Sequence, residues 1–128
     1  MIKPTKILLW MELKKMKRGE IYYADLDPTV GAETKKNRPV LIVSNNANNN
    51  AASTLTIIPI TSNVKKIYPF EVFLDTKESG LNKPSKAQCH QVRTISKNRI
   101  SNLKLQGVAS NLIMAKINIA LKIHLDIN

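Results

Sequence analysis

From Glu20 onward, short β-forming runs alternate with turn residues, and this alternation restricts the chain to an antiparallel sheet or a small barrel. Residues 21–26 form the first run, closed by Asp27-Pro28. Residues 29–37, with Gly31, Glu33 and a polar end, read as a long exposed loop. Residues 40–43 are continuously apolar, as in a strand buried on both faces. They are introduced by Arg38-Pro39, whose proline confines Arg38 to extended backbone at the strand's entrance. Residues 45–50 hold five asparagines in six positions and are expected to be a solvated loop. Residues 55–60 give the next strand, which delivers Thr61-Ser62 at its end. In residues 70–74, Phe70, Val72 and Leu74 alternate with Glu71 and Phe73. After the turn Glu78-Ser79-Gly80, residues 87–95 supply one or two further strands.

The period changes only at the end. Ile113, Ile117, Ala120, Leu121 and His124 recur at helical spacing, and Leu112, Ile119 and Ile123 widen the apolar face, so a helix over 110–125 is expected. So apolar a helix needs the sheet on one side and invites a second subunit on the other.

At 128 residues the chain is long enough for a single core without covalent staples. Cys89 is alone, so no internal disulfide can form, and a reducing cytoplasm is the expected setting. Twenty basic against nine acidic residues give +11, a field that draws polyanions. Removing the four lysines and one glutamate of residues 1–15 lowers that by three and leaves +8, so the basic character belongs to residues 16–128. The apolar run at residues 7–11 is too short for the roughly 20 residues of a membrane span. Residues 1–15 are expected to be a disordered or accessory extension, with a surface-bound amphipathic helix as the alternative.

Several short motifs stand in a fixed order: Arg18-Gly19-Glu20-Ile21-Tyr22, Asp25-Leu26-Asp27-Pro28, Gly31-Ala32-Glu33, Arg38-Pro39-Val40, Pro59-Ile60-Thr61, Tyr68-Pro69-Phe70-Glu71-Val72, Gln91-Val92-Arg93-Thr94 and Ala115-Lys116-Ile117-Asn118. In this order they resemble the MazF/PemK/Kid toxins over residues 17–126. The loop departs from the family at Ala32 and at Lys35-Lys36-Asn37, where relatives often carry serine and glycine.

The resemblance implies a mainly β fold with a C-terminal α-helix, an SH3-like antiparallel barrel of the CcdB/PemK type, assembled as a homodimer. It implies a sequence-specific, metal-independent endoribonuclease that needs no cofactor, cuts single-stranded RNA rather than DNA, and is held in check by a MazE-like antitoxin. RNA carries its own nucleophile, so the protein has only to direct the 2′-OH at the phosphorus, neutralise the phosphorane and protonate the departing 5′ oxygen. No metal-ligand spacing occurs among the two histidines and nine carboxylates.

On this resemblance the catalytic candidates are Arg38, as a planar clamp on two phosphate oxygens, Thr61, as a hydroxyl donor to a non-bridging oxygen, and Glu33, to orient Arg38 or take the 2′-OH proton. Gln91, Arg93, Lys35, Lys36, Ser62 and Asn45 are the candidate RNA contacts, while His90 is read as structural and the general base is left open. Two other readings share the fold: a non-catalytic barrel that binds single-stranded nucleic acid, and a gyrase-directed poison like CcdB.

Overall fold

The structure is a computed structural model that describes Met11 and residues 15–128. The strands are β1 (Glu20–Asp25), β2 (Asn37–Ile42), β3 (Thr54–Thr61), β4 (Glu71–Leu74), β5 (Ser85–Gln88), β6 (Arg93–Ser96) and β7 (Gly107–Val108). All pair antiparallel, in the order β4-β5-β3-β2-β1-β7, with β6 also on β3. The helices are α1 (Asn46–Ala51), α2 (Thr76–Ser79) and α3 (Asn111–His124).

The sheet curls into a half-barrel, because its two ends in strand order meet. Gly107 of β7 lies so close to the turn after β4 that a Cβ there would stand 2.2 Å from the Ser79 carbonyl oxygen. The Ser110 N–H donates to Glu78 O at 2.9 Å beside it. The Asp75 carboxylate caps α2 by accepting from the Glu78 N–H at 2.7 Å, and Gly80 ends it at φ +74°, a left-handed position that glycine takes without steric cost.

Curling gives the central strands two buried faces. Leu41, Ile58 and Ile60 pack under α3 with Ile113 and Ile117, while Val40, Ile42, Leu55 and Ile57 pack on the other side with Tyr22 and Met16. That is why residues 40–43 and 57–60 are apolar throughout instead of alternating. Burying one such side chain contributes about 1.5–3 kcal/mol.

Pro59 lies inside β3, where a proline would normally break a ladder. Val43 N–H donates to Thr56 O, so even-numbered β3 residues turn their backbone towards β2. The missing N–H of Pro59 therefore faces the other edge, in the gap where β6 ends at Ile57 and β5 begins at Ile60.

One expectation needs correction. The asparagine run is a helix, not a solvated loop. Asn45 caps it by accepting from the Asn48 N–H, and Asn49 is fully buried, its amide donating to Ser44 O and its carbonyl accepting from the Ser44 hydroxyl. Glu71 shares its face with Phe73 as expected, yet it is buried while Phe73 is exposed. The loop before β4 covers it: Lys86 of β5 donates to Glu71 Oε1 at 2.9 Å and to Lys66 O at 2.6 Å, and the Tyr68 N–H donates to Glu71 Oε1 at 3.0 Å. A buried pair so fully hydrogen-bonded can offset the cost of removing both charges from water.

The Ser110 hydroxyl caps α3, whose residues Ile113, Met114, Ile117 and Ala120 face the core. Its second apolar stripe, Leu112, Ile119 and Ile123, stays exposed beside Phe73. No helix among the described residues is long and apolar enough to cross a membrane. The expectation for residues 1–15 lies, apart from Met11 and Lys15, outside the described residues.

Candidate functional site

The β2–β3 ladder runs through Leu41↔Ile58 and Val40↔Pro59 and then opens. Pro39, with no N–H to donate, is the first residue beyond the last pair. Carried two residues further, the same register brings Arg38 level with Thr61. Both line one cavity of about 340 Å³ at the open end of the two strands. Lys36 and Ser62 line it from the adjoining loops and Asn37 from the start of β2, and Tyr23 of β1, Pro39 and Ile60 from the opposite face of the sheet. The cavity thus wraps around the strand ends. Leu81, Asn82 and Lys83 from the segment leading into β5, Ser85 at the start of β5 and Gln106 before β7 complete the lining.

Local bonding readies two of these side chains for an anion. Arg38 Nε donates to Lys35 O at 2.7 Å, which fixes the guanidinium and leaves its terminal nitrogens free. Thr61 Oγ1 accepts from the Asn63 N–H at 3.2 Å, so its own hydroxyl proton remains available to donate. Lys36, Arg38 and Lys83 bring three cations to the cavity, and neither Asp nor Glu lines it.

Lys36 is held at φ 75°, where a residue with a Cβ is strained. Its carbonyl closes the loop by accepting from the Leu26 N–H at 3.1 Å. A glycine at this position would take that conformation freely, so Lys36 carries a local strain beside the site.

The remaining candidates lie elsewhere. Glu33 does not orient Arg38: its carboxylate accepts from the Val30 N–H at 2.5 Å, which caps a turn in its own loop, and the Lys35 carbonyl orients Arg38 instead. Gln91 spends its amide on the same loop, accepting from the Thr34 N–H at 3.2 Å and donating to Ala32 O at 3.3 Å. Arg93 donates to Leu26 O at 3.2 Å, and Arg99 to Asp27 O at 2.6 Å, at the loop's base. Asn45 is a helix cap. Lys35 is exposed beside the cavity.

His90 is half-buried, edge-on to Phe70, and its Nδ1 has no hydrogen-bond partner among the described residues. Burial pushes its pKa below the ordinary 6.5; Glu71 opposes this, and His124 and Lys86 add to it. Burial also pushes the Cys89 thiol up to about 12, with Glu71 adding to the shift, so it is a neutral core group and no nucleophile. No group of three or more His, Cys, Asp or Glu able to hold a metal ion occurs among the described residues.

The profile of the PemK-like, MazF-like toxins of type II toxin-antitoxin systems matches residues 17–125. The chain belongs to this family. Endoribonuclease MazF9 of Mycobacterium tuberculosis is 42% identical to this MazF-like chain over 117 residues, 88% of the chain and 98% of the relative. The crystal structure of MazF from Deinococcus radiodurans has the same fold, with a TM-score of 0.75 at 23% identity over 87% of this chain and 96% of that one. So does a mycobacterial endoribonuclease in complex with its cognate antitoxin, with a TM-score of 0.71 at 24% identity over 88% and 97%.

In this MazF-like chain the motifs Arg38-Pro39 and Pro59-Ile60-Thr61 are the two sides of the opened ladder. Lys83, Asn82 and Gln106 were not read as site residues from the sequence. They stand in loops with no periodicity or motif, and only the curl of the sheet brings them to residues so distant in sequence. Arg18 of the first motif has a structural task, donating from Nε to Val43 O and from Nη2 to Asn118 Oδ1 of α3.

Proposed function

We propose that this chain is a sequence-specific endoribonuclease that cleaves single-stranded RNA at the cavity between Arg38 and Thr61, with the ribose 2′-OH as nucleophile and no metal ion. The observation that carries this reading is a guanidinium and a hydroxyl, level on adjacent strands, lining a cavity with three cations and no carboxylate. The endoribonuclease name of the 42% identical relative supports the reaction type.

In the reaction the 2′ oxygen bonds to phosphorus as the bond to the 5′ oxygen breaks, giving a 2′,3′-cyclic phosphate and a free 5′-OH. Negative charge on the equatorial oxygens peaks midway. The free nitrogens of Arg38 and the Thr61 hydroxyl proton are the donors that meet it, and such donors contribute most where charge develops. A guanidinium, with a pKa above about 12, acts as a clamp and not as a proton carrier. The base that receives the 2′-OH proton is unassigned; in this conformation Glu33 is committed to its own turn.

Lys36 and Ser62 extend the same surface for RNA, and Gln91 and Arg93 act through the loop they anchor. The exposed stripe of Leu112, Ile119 and Ile123 with Phe73 supports assembly as a homodimer, because so apolar a face is unfavourable in water. The type II system in the family description supports a MazE-like antitoxin, cytoplasmic action and a basic groove filled by an acidic, folding segment.

Purified protein with a long single-stranded RNA tests the reading on a gel. Discrete fragments are expected, and Arg38→Ala or Thr61→Ala should each lower the rate by at least about 10²–10³ with the melting temperature little changed. Wild-type cutting by both variants would remove the site assignment; an RNA retarded but uncut would favour the binding barrel.

A further inference from the structure

We propose that Lys83 is a positioning residue that grips a phosphate of the RNA neighbouring the scissile one, so that it sets affinity and leaves the chemical step alone. The proposal rests on the reading of the Arg38–Thr61 cavity above and deepens it.

Strand order supplies the first argument. Arg38 lies on β2 and Thr61 on β3, while Lys83 precedes β5, which pairs with the other edge of β3 at Thr61↔Lys86. Lys86 is the residue level with Thr61, and Lys83 stands three residues before it, so Arg38 and Lys83 lie on opposite sides of Thr61 and farther apart than two strand spacings, which alone are roughly 10 Å. That separation is too wide for one phosphate to meet both backbones' side chains closely, so the two cations take different phosphates.

The local structure supplies the second. The buried Ser85 hydroxyl donates to Lys83 O at 3.0 Å, and the Leu81 N–H donates to Ser79 Oγ at 3.1 Å, so both sides of Lys83 are tied down. Pro84 then holds Lys83 extended. From this fixed base the side chain borders the cavity, and its ammonium makes no ion pair or hydrogen bond among the described residues. Lys83 is exposed, and a solvated cation at the edge of a cavity whose lining lacks carboxylates is free to meet an entering polyanion.

A lysine is a compact point charge that grips a phosphate equally before and during bond cleavage. Binding of that uniform kind lowers KM and does not raise kcat.

The test is Lys83→Gln in the full chain, with Lys83→Arg beside it and a short single-stranded RNA of an established cleavage site as probe. KM should rise about five- to tenfold for Lys83→Gln at low salt, with kcat within twofold, and Lys83→Arg should restore KM. The slope of log affinity against log salt should become shallower by about 0.7, the value for one lost phosphate contact on a single strand. The same loss should appear in RNA Kd values when Lys83→Gln is added to Arg38→Ala, which reads binding without cutting. Unchanged KM, Kd and salt slope would overturn the proposal, as would a fall in kcat at constant KM. A wild type that binds RNA without cutting would instead overturn the cleavage reading, while the Kd comparison would still decide Lys83.

Discussion

At the residue scale, what prepares the site is a division of labour inside single side chains. Arg38 gives Nε to the Lys35 carbonyl and keeps its terminal nitrogens, and Thr61 gives its oxygen to Asn63 and keeps its proton. Neither group must break a strong bond before meeting a phosphate. His90 shows the opposite case, a titratable group with no part in the cavity. Its pKa is depressed by burial, so the folded state binds its proton less readily than the unfolded chain. The stability it contributes is complete above the ordinary 6.5 and is lost as pH falls below that value through the folded pKa. Thermal melts at pH 7 and pH 5 should therefore show a smaller drop for His90→Gln than for the parent; equal drops would mean that His90 does not contribute to acid sensitivity. Arg38 was legible in the sequence because a proline follows it and a known motif surrounds it. The bonds of Glu33 and Gln91 were not, since each depends on how residues 29–37 fold back on themselves and on the turn after β5.

At the scale of elements, the half-barrel depends on the close approach of β7 to the turn after α2. Gly107→Ala would drive a methyl into the Ser79 carbonyl, and the forced separation should cost about 2–3 kcal/mol, read as a lower denaturant midpoint. An unchanged midpoint would show that the contact is not needed for closure. β1 to β4 and α3 were readable from period, because continuous apolar runs mark β2 and β3 and helical spacing marks residues 113–124, whereas β7 is two residues long and carries no period. The asparagine run misled, because its stability comes from tertiary burial of Asn49 and from the cap at Asn45, which overrule a low intrinsic helix propensity. The burial of Glu71 was not legible for a related reason: alternation gives the face, but only the covering loop and Lys86 decide whether that face is wet.

At the scale of the whole molecule, curling of one antiparallel sheet does two things. It buries both faces of the central strands, and it opens the β2–β3 ladder beside the segment leading into β5, so that residues from five stretches of chain share one cavity. The excess of 20 basic over 9 acidic residues was plain from composition. The absence of any carboxylate from the cavity lining was not, because it depends on where the sheet closes. RNA cleavage by the ribose itself is the central claim, and a pair of oligonucleotides tests it most directly. One is all-ribose and the other carries a single 2′-deoxy sugar at the scissile nucleotide, both incubated with the protein in EDTA. The account predicts that the first is cut to a 2′,3′-cyclic phosphate and a 5′-OH and that the second stays intact at that bond. Cutting at the deoxy position, or loss of all cutting in EDTA, would contradict it.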